Sequence, residues 1–129
     1  MASIQLLTAA IATNSAPSAA TDGVTLGDVA HQDDVGLLVA STAGSGTMTC
    51  TIRMWGYSAV TSAWHPLGTG TDSLKGTINE QTALGETGTN VIRHAEILGG
   101  LFAFERMYAE IVAIGGTSTA ISVWLVTRR

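Results

Sequence analysis

The sequence predicts an all-β protein, an antiparallel β-sandwich of jelly-roll type with about eight strands and an extended N-terminal arm. Two observations carry the fold class. Turn formers and β-branched residues recur along the whole chain, fifteen glycines stand against two prolines, and few stretches sustain a helical period. Several runs also alternate apolar and polar residues with period two, the spacing that sends successive side chains to opposite faces of a strand. The length of 129 residues supports one core, so the expected organisation is an arm over residues 1–25 and a single sandwich domain over residues 26–129.

Each element has its own warrant. The start of the chain carries an apolar patch, Ile4-Gln5-Leu6-Leu7, followed by Ala9 to Ala12, and ends in the small residues Ser18-Ala19-Ala20. It lacks the positive n-region of an export signal and is read as an ordered arm contributing a strand or two. Val35 to Ser41 is a nearly continuous apolar run. In Thr47 to Tyr57, Met48, Cys50, Ile52 and Met54 alternate with Thr49, Thr51, Arg53 and Trp55, which puts the first set inward. Between these runs, Thr42-Ala43-Gly44-Ser45-Gly46 reads as a hairpin loop joining an antiparallel pair. A shorter pair runs through Trp55–Val60, a turn near Thr61-Ser62 and a return through Trp64–Leu67.

Gly68–Asp72 and Leu84–Gly88 read as loops, with one strand in Ser73–Ala83, centred on Lys75–Ile78. Val91–Leu98 fits helix or strand, and its β-rich context favours strand. The strongest signal is last. Phe102–Ile114 and Thr119–Thr127, separated by Gly115-Gly116-Thr117, read as one long antiparallel hairpin. In its first arm Ala103, Glu105, Met107, Ala109, Ile111 and Ala113 share one face, and Phe104, Arg106, Tyr108, Glu110 and Val112 the other. Neither face is purely polar, so the opposing sheet is expected to cover one and a neighbouring subunit the other.

Composition narrows the function classes. Hydrophobic residues make up 46% of the chain and charged ones 12%, about half the roughly 25% of an ordinary soluble domain. A surface so short of charge exposes neutral or apolar area, and large patches of that kind mark contact surfaces. Self-association is therefore expected. The net charge of −4 comes from six basic and ten acidic residues, with no basic cluster apart from Arg128-Arg129, which argues against nucleic acid as a partner. No apolar run approaches the roughly 20 residues of a spanning helix, which argues against a membrane.

Catalytic and metal-binding patterns are incomplete in this sequence. His31, His65 and His94 have no ligand spacing, and the single Cys50 leaves structural zinc patterns without donors. Asp28, Asp33 and Asp34, preceded by Asp22-Gly23, lack the order of a calcium loop and read as solvated turns. Ser45 lies in Ala43-Gly44-Ser45-Gly46-Thr47, which is not a nucleophile elbow, and Gly68-Thr69-Gly70 lacks the Lys-Ser/Thr of a phosphate-binding loop. Cys50 reads as a small hydrophobe on an apolar face. Glu105 and Glu110 fall on opposite faces, which argues against paired acid–base work. No enzyme, cofactor or metal site is expected. The residues expected to form contacts between proteins are Trp55, Tyr57, Phe104, Arg106, Tyr108, Glu110 and Trp124, because large amphipathic aromatics and paired charges dominate such interfaces. Trp64 reads as a cap on the end of the core.

Leu101–Glu110 and its continuation through Ile114–Ala120 to Trp124-Leu125, together with Met54-Trp55-Gly56-Tyr57 and Trp64-His65-Pro66-Leu67-Gly68, resemble a pattern in small structural proteins of tailed-phage virions. The resemblance spans roughly Val35 to Val126 and is one of rhythm. It implies a β-sandwich virion component with no catalytic residues to carry over. The expected function is a capsid decoration or cement protein, a homo-oligomer such as a trimer, bound to the major capsid protein or another virion protein. The alternative is a tail, spike or fibre component that binds a host receptor or glycan by stacking Trp55, Tyr57 and Trp64.

Overall fold

The structure, a computed structural model, describes residues 2–27, 29, 35–42, 45–66, 82–87, 90–98, 103–117 and 120–127. Among these the regular structure is β. The strands are β1 (Ala2–Ala10), β2 (Val24–Thr25), β3 (Val35–Thr42), β4 (Ser45–Ser58), β5 (Ala63–Pro66), β6 (Thr82–Thr87), β7 (Asn90–Leu98), β8 (Arg106–Thr117) and β9 (Ala120–Thr127). They form two antiparallel sheets. The first has the order β1-β9-β3-β7; the second has the order β2-β8-β4-β5, with β6 also paired to β4.

The inner faces of both sheets feed one hydrophobic cluster. Val35, Leu37, Ile121, Val123 and Leu125 come from the first sheet, and Ile52, Met54, Met107, Ala109 and Ile111 from the second. Their order follows the alternation: β9 runs half-buried, buried, half-buried along its whole length. Leu26 and Val29, between β2 and β3, complete the cluster.

In two expected hairpins the strands lie in different sheets instead of pairing. β3 pairs with β7 and β9, and β4 pairs with β8, β5 and β6, so β3 and β4 are not partners. β8 and β9 likewise lie in different sheets. The pairing explains why. Thr42 lies opposite Ala120 in the first sheet and Ser45 opposite Thr117 in the second, so the two chain segments change sheet side by side. A Gly- and Ser-rich link is compatible with a hairpin turn or a corner, and alternation does not name a strand's partner.

Other expectations fare differently. The β4–β5 hairpin is present, with Trp55 opposite Pro66 and Ser58 opposite Ala63. Val91–Leu98 lies within strand β7. Leu84–Thr87, expected as loop, belongs to β6, where ladder hydrogen bonds to β4 override the low strand propensity of Gly85 and Glu86. The strand expected around Lys75–Ile78 and the loop at Gly68–Asp72 lie outside the described residues.

The first twenty-five residues supply a strand to each sheet. β1 pairs with β9 through two irregularities, one between Gln5 and Leu7 and one between Leu7 and Ala10. Each inserts one extra residue, so Ile4, Leu7 and Ala10, three apart in sequence, fall opposite Leu125, Val123 and Ile121, two apart. The bulges convert a spacing foreign to a strand into one inward row. β8 carries a third irregularity. Thr51 lies opposite Ala113 and Ile52 opposite Ile111, which leaves Val112 over. As a result Ala113, expected on one face with Met107, Ala109 and Ile111, is exposed, and Ile114 packs against the core.

Candidate interaction surface

The outer face of the second sheet gathers most of the singled-out residues in three rows. Arg53 lies opposite Glu110, Trp55 opposite Tyr108, and Tyr57 opposite Arg106 and Trp64. Alternation along β4 and β8 puts these side chains on one side and Ile52, Met54, Met107 and Ala109 on the other. The Arg53 guanidinium stands 3.7 Å from Glu110 Oε1, and the Trp55 indole N–H donates to the same oxygen at 2.9 Å. Glu110 thus joins Arg53 and Trp55 across one strand boundary.

The aromatic rings meet edge to face. Tyr57 and Trp64 lie 5.4 Å apart at 59°, and Trp64 and Tyr108 lie 6.1 Å apart at 67°, both favoured geometries for ring quadrupoles. Over them runs the stretch between β1 and β2. The Trp64 indole N–H donates to the Ala19 carbonyl at 2.9 Å and the Tyr108 hydroxyl to the Ser15 carbonyl at 2.7 Å. Asn14 grips the edge of β8: its side-chain carbonyl accepts from Ile111 N–H at 2.7 Å, its side-chain amide donates to the Ala109 carbonyl at 3.2 Å, and its backbone N–H donates to the Ile111 carbonyl at 3.3 Å.

Arg106 closes this cover. Its guanidinium donates to the carbonyls of Thr21, Asp22 and Gly23 at 3.0, 2.7 and 2.9 Å, and to Thr25 Oγ1 at 2.9 Å. The planar fork of arginine suits several acceptors arranged around it. Gly23 allows this approach. Its backbone is left-handed (φ 73°), and a Cβ there would stand 2.3 Å from the Met107 carbonyl oxygen.

Asp22 shapes the turn from within, accepting from the Ser18 and Ala19 N–H groups at 2.9 Å each. Those two bonds, with the positive charge of Arg106 behind them, hold its carboxyl below the usual range against a smaller opposing effect of desolvation. Desolvation pushes the Tyr108 phenol up, assisted by the negative charges of Asp22 and Glu110.

Phe104 and Trp124 stand apart from this cluster. Phe104 precedes β8, where alternation does not hold, and packs against the core instead of joining the outer row. A Cβ on Gly56 would stand 2.7 Å from Cγ of its ring, and the His65 ring lies 6.3 Å away. Trp124 lies on the outer face of the first sheet, half-buried, opposite Gln5 on one side and half-buried Leu38 on the other. Half-buried Val126 follows it opposite Gly36. On the outer face of the first sheet Leu38, Trp124 and Val126 thus lie together, each half-buried, and the outer face of the second wears a cover drawn from its own chain.

The remaining candidates are dispersed. The His65 ring shares a hydrogen bond of 2.6 Å with the Thr61 hydroxyl, and the Glu105 carboxylate accepts from Ala59 N–H at 2.7 Å. Cys50 sits mid-strand in β4. His31, Asp28, Asp33 and Asp34 lie outside the described residues. Among the described residues no group of three or more His, Cys, Asp or Glu is placed to hold a metal ion, and no helix is long and apolar enough to cross a membrane.

Sequence reasoning missed the cover, Asn14 to Thr25. Asp22-Gly23 is a turn signal and Pro17 an extended-chain signal, but neither names Arg106 as the group they serve. No family model, curated protein or solved structure matches the chain.

Proposed function

We propose that the chain is a structural protein of a tailed-phage virion, a decoration or cement protein that self-associates and binds over the head shell. The two sheets then form a sandwich of jelly-roll kind, with the paired segments 35–58 and 106–127 folded over as one ribbon. The observation that carries the reading is the outer face of the first sheet. Trp124, Leu38 and Val126 are adjacent there and only half-buried, in a chain only 12% charged. Apolar area on an under-charged protein is stabilised by association, and a partner that binds the assembled shell stabilises it by mass action. The resemblance of Val35–Val126 to small virion proteins points the same way.

The test compares shells with and without the protein under rising temperature, alongside a Trp124→Ala variant. Shells carrying the wild type are expected to survive to higher temperature, with the gain reduced by the variant. Equal endurance in all three would count against cementing. The spike or glycan reading is weaker. Trp55, Tyr57 and Trp64 do share a face, but the Trp55 and Trp64 N–H groups already bond Glu110 and Ala19.

A further inference from the structure

We propose that β1 is an exchangeable strand, and that Ala2–Ala10 of one copy pairs with β9 of a second copy of the chain. The inference rests on the self-association proposed above and gives it a mechanism. Three observations carry it, each about a different part of the N-terminal stretch.

The first is where the chain is fixed. From Asn14 onward the backbone is tied to β8 and its neighbours by Asn14, Tyr108, Trp64 and all four Arg106 bonds. Residues 14–25 belong firmly to their own second sheet. The second is the connection between the two sheets. Ala9 has left-handed backbone (φ 44°), which its Cβ opposes, and it lies at the irregularity between Leu7 and Ala10. Ile11 follows with 76% of its surface in water, and Ala12 and Thr13 are also exposed. The chain therefore passes from the end of β1 to the second sheet through a short exposed connection, Ile11 to Thr13, with an apolar side chain left out.

The third is what lies beyond. β1 is an edge strand whose ladder partner is β9, and its Ile4, Leu7 and Ala10 fill the inward row beside Leu125, Val123 and Ile121. Exchange preserves every one of those pairings, because an identical β9 awaits in the second copy. What changes is the connection over Ile11–Thr13, and a short hinge is one of the conditions that favour swapping.

The experiment uses the full chain. Ser3 and Val126 lie directly opposite in the β1–β9 ladder, so a Ser3→Cys/Val126→Cys chain can close a disulfide between them. Light and heavy-isotope preparations are mixed, refolded together, oxidised and digested. Mass spectrometry then reads whether the peptides joined through positions 3 and 126 share one isotope. Exchange predicts a large share of mixed-isotope pairs and a covalent dimer or ring without reductant. As a second measurement, Gly-Ser-Gly inserted between Ala12 and Thr13 lengthens the hinge and is expected to shift sedimentation of the otherwise unaltered chain toward the monomer. Single-isotope pairs alone, or an insertion that leaves association unchanged, would overturn the exchange. If the chain still sediments as an oligomer in that case, the assembly reading survives; a monomer removes both.

Discussion

Arg106 does more for this molecule than its position in an alternating run suggests. Read along the strand it is one polar residue among aromatics, and an interface charge is the natural expectation. In the structure its guanidinium serves three carbonyls and a hydroxyl of residues 21–25, groups that would otherwise need water or go unpaired. Hydrogen bonds with one charged member contribute about 1.5–3 kcal/mol each at best, and far from additively. Arg106→Ala is therefore expected to lower stability by about 2–3 kcal/mol in urea unfolding. Arg106→Lys should recover less than half of this, because an ammonium point charge does not match the fork. A lysine variant as stable as wild type would show that charge alone suffices.

Tyr108 ties the same cover down and makes it sensitive to alkali. Its phenol is pushed above its ordinary value of 10.0, so the folded state favours the protonated form. The corresponding stability is present in full below the unfolded pKa and is lost as pH rises through the folded one. Wild type should then lose stability above about pH 10 more steeply than Tyr108→Phe, as unfolding followed at several alkaline pH values would show. Asp22 acts with the opposite sign. Its lowered pKa contributes stability above the ordinary carboxylate value, and this is lost as pH falls through the folded one.

At the scale of elements, β4 and β8 were legible because their inward residues alternate without interruption over Ile52–Met54 and Met107–Ile111. β1 was not, since Ile4, Leu7 and Ala10 follow no strand period until two bulges bring them into line. Bulges are decided by the partner strand, which a single run of sequence does not contain. Phe104 was misplaced for a related reason: alternation was extended past the start of β8 into residues whose geometry is set by Leu26 N–H donating to Glu105 O and Glu105 N–H to Tyr57 O.

The ring of Phe104 lies where a side chain on Gly56 would go, so the two positions share one volume. Gly56→Ala is expected to cost about 1–3 kcal/mol by overpacking. Combining it with Phe104→Leu should cost less than the sum of the two single changes, because the smaller side chain leaves room for the methyl group. Strict additivity in denaturant unfolding would show that the contact does not limit this site.

For the molecule as a whole, the scarcity of charge has two answers. One is internal: residues 14–25 fold over the aromatic face of the second sheet, a cover that the sequence-based expectation assigned to a neighbouring subunit. On the other face, Trp124 and its neighbours Leu38 and Val126 stay half-buried. Trp124→Ala is therefore the change expected to weaken contacts with other molecules while leaving the fold standing. The inward row Ile121, Val123 and Leu125 points away from it.

The sequence by itself determined that this protein is built of strands, that Ile52 and Met54 of β4 point inward, which residues alternate along β9 and along the first part of β8, and that the chain is poor in charge. Those properties are local: alternation and composition can be counted along the chain without knowing what lies beside it. Only the tertiary structure decided which strand pairs with which, that β3 and β4, like β8 and β9, lie in different sheets, and that Arg106 and Tyr108 serve their own N-terminal segment. Partner choice depends on long-range hydrogen bonding and on how two twisted faces share one core, and neither leaves a periodic trace in the order of residues.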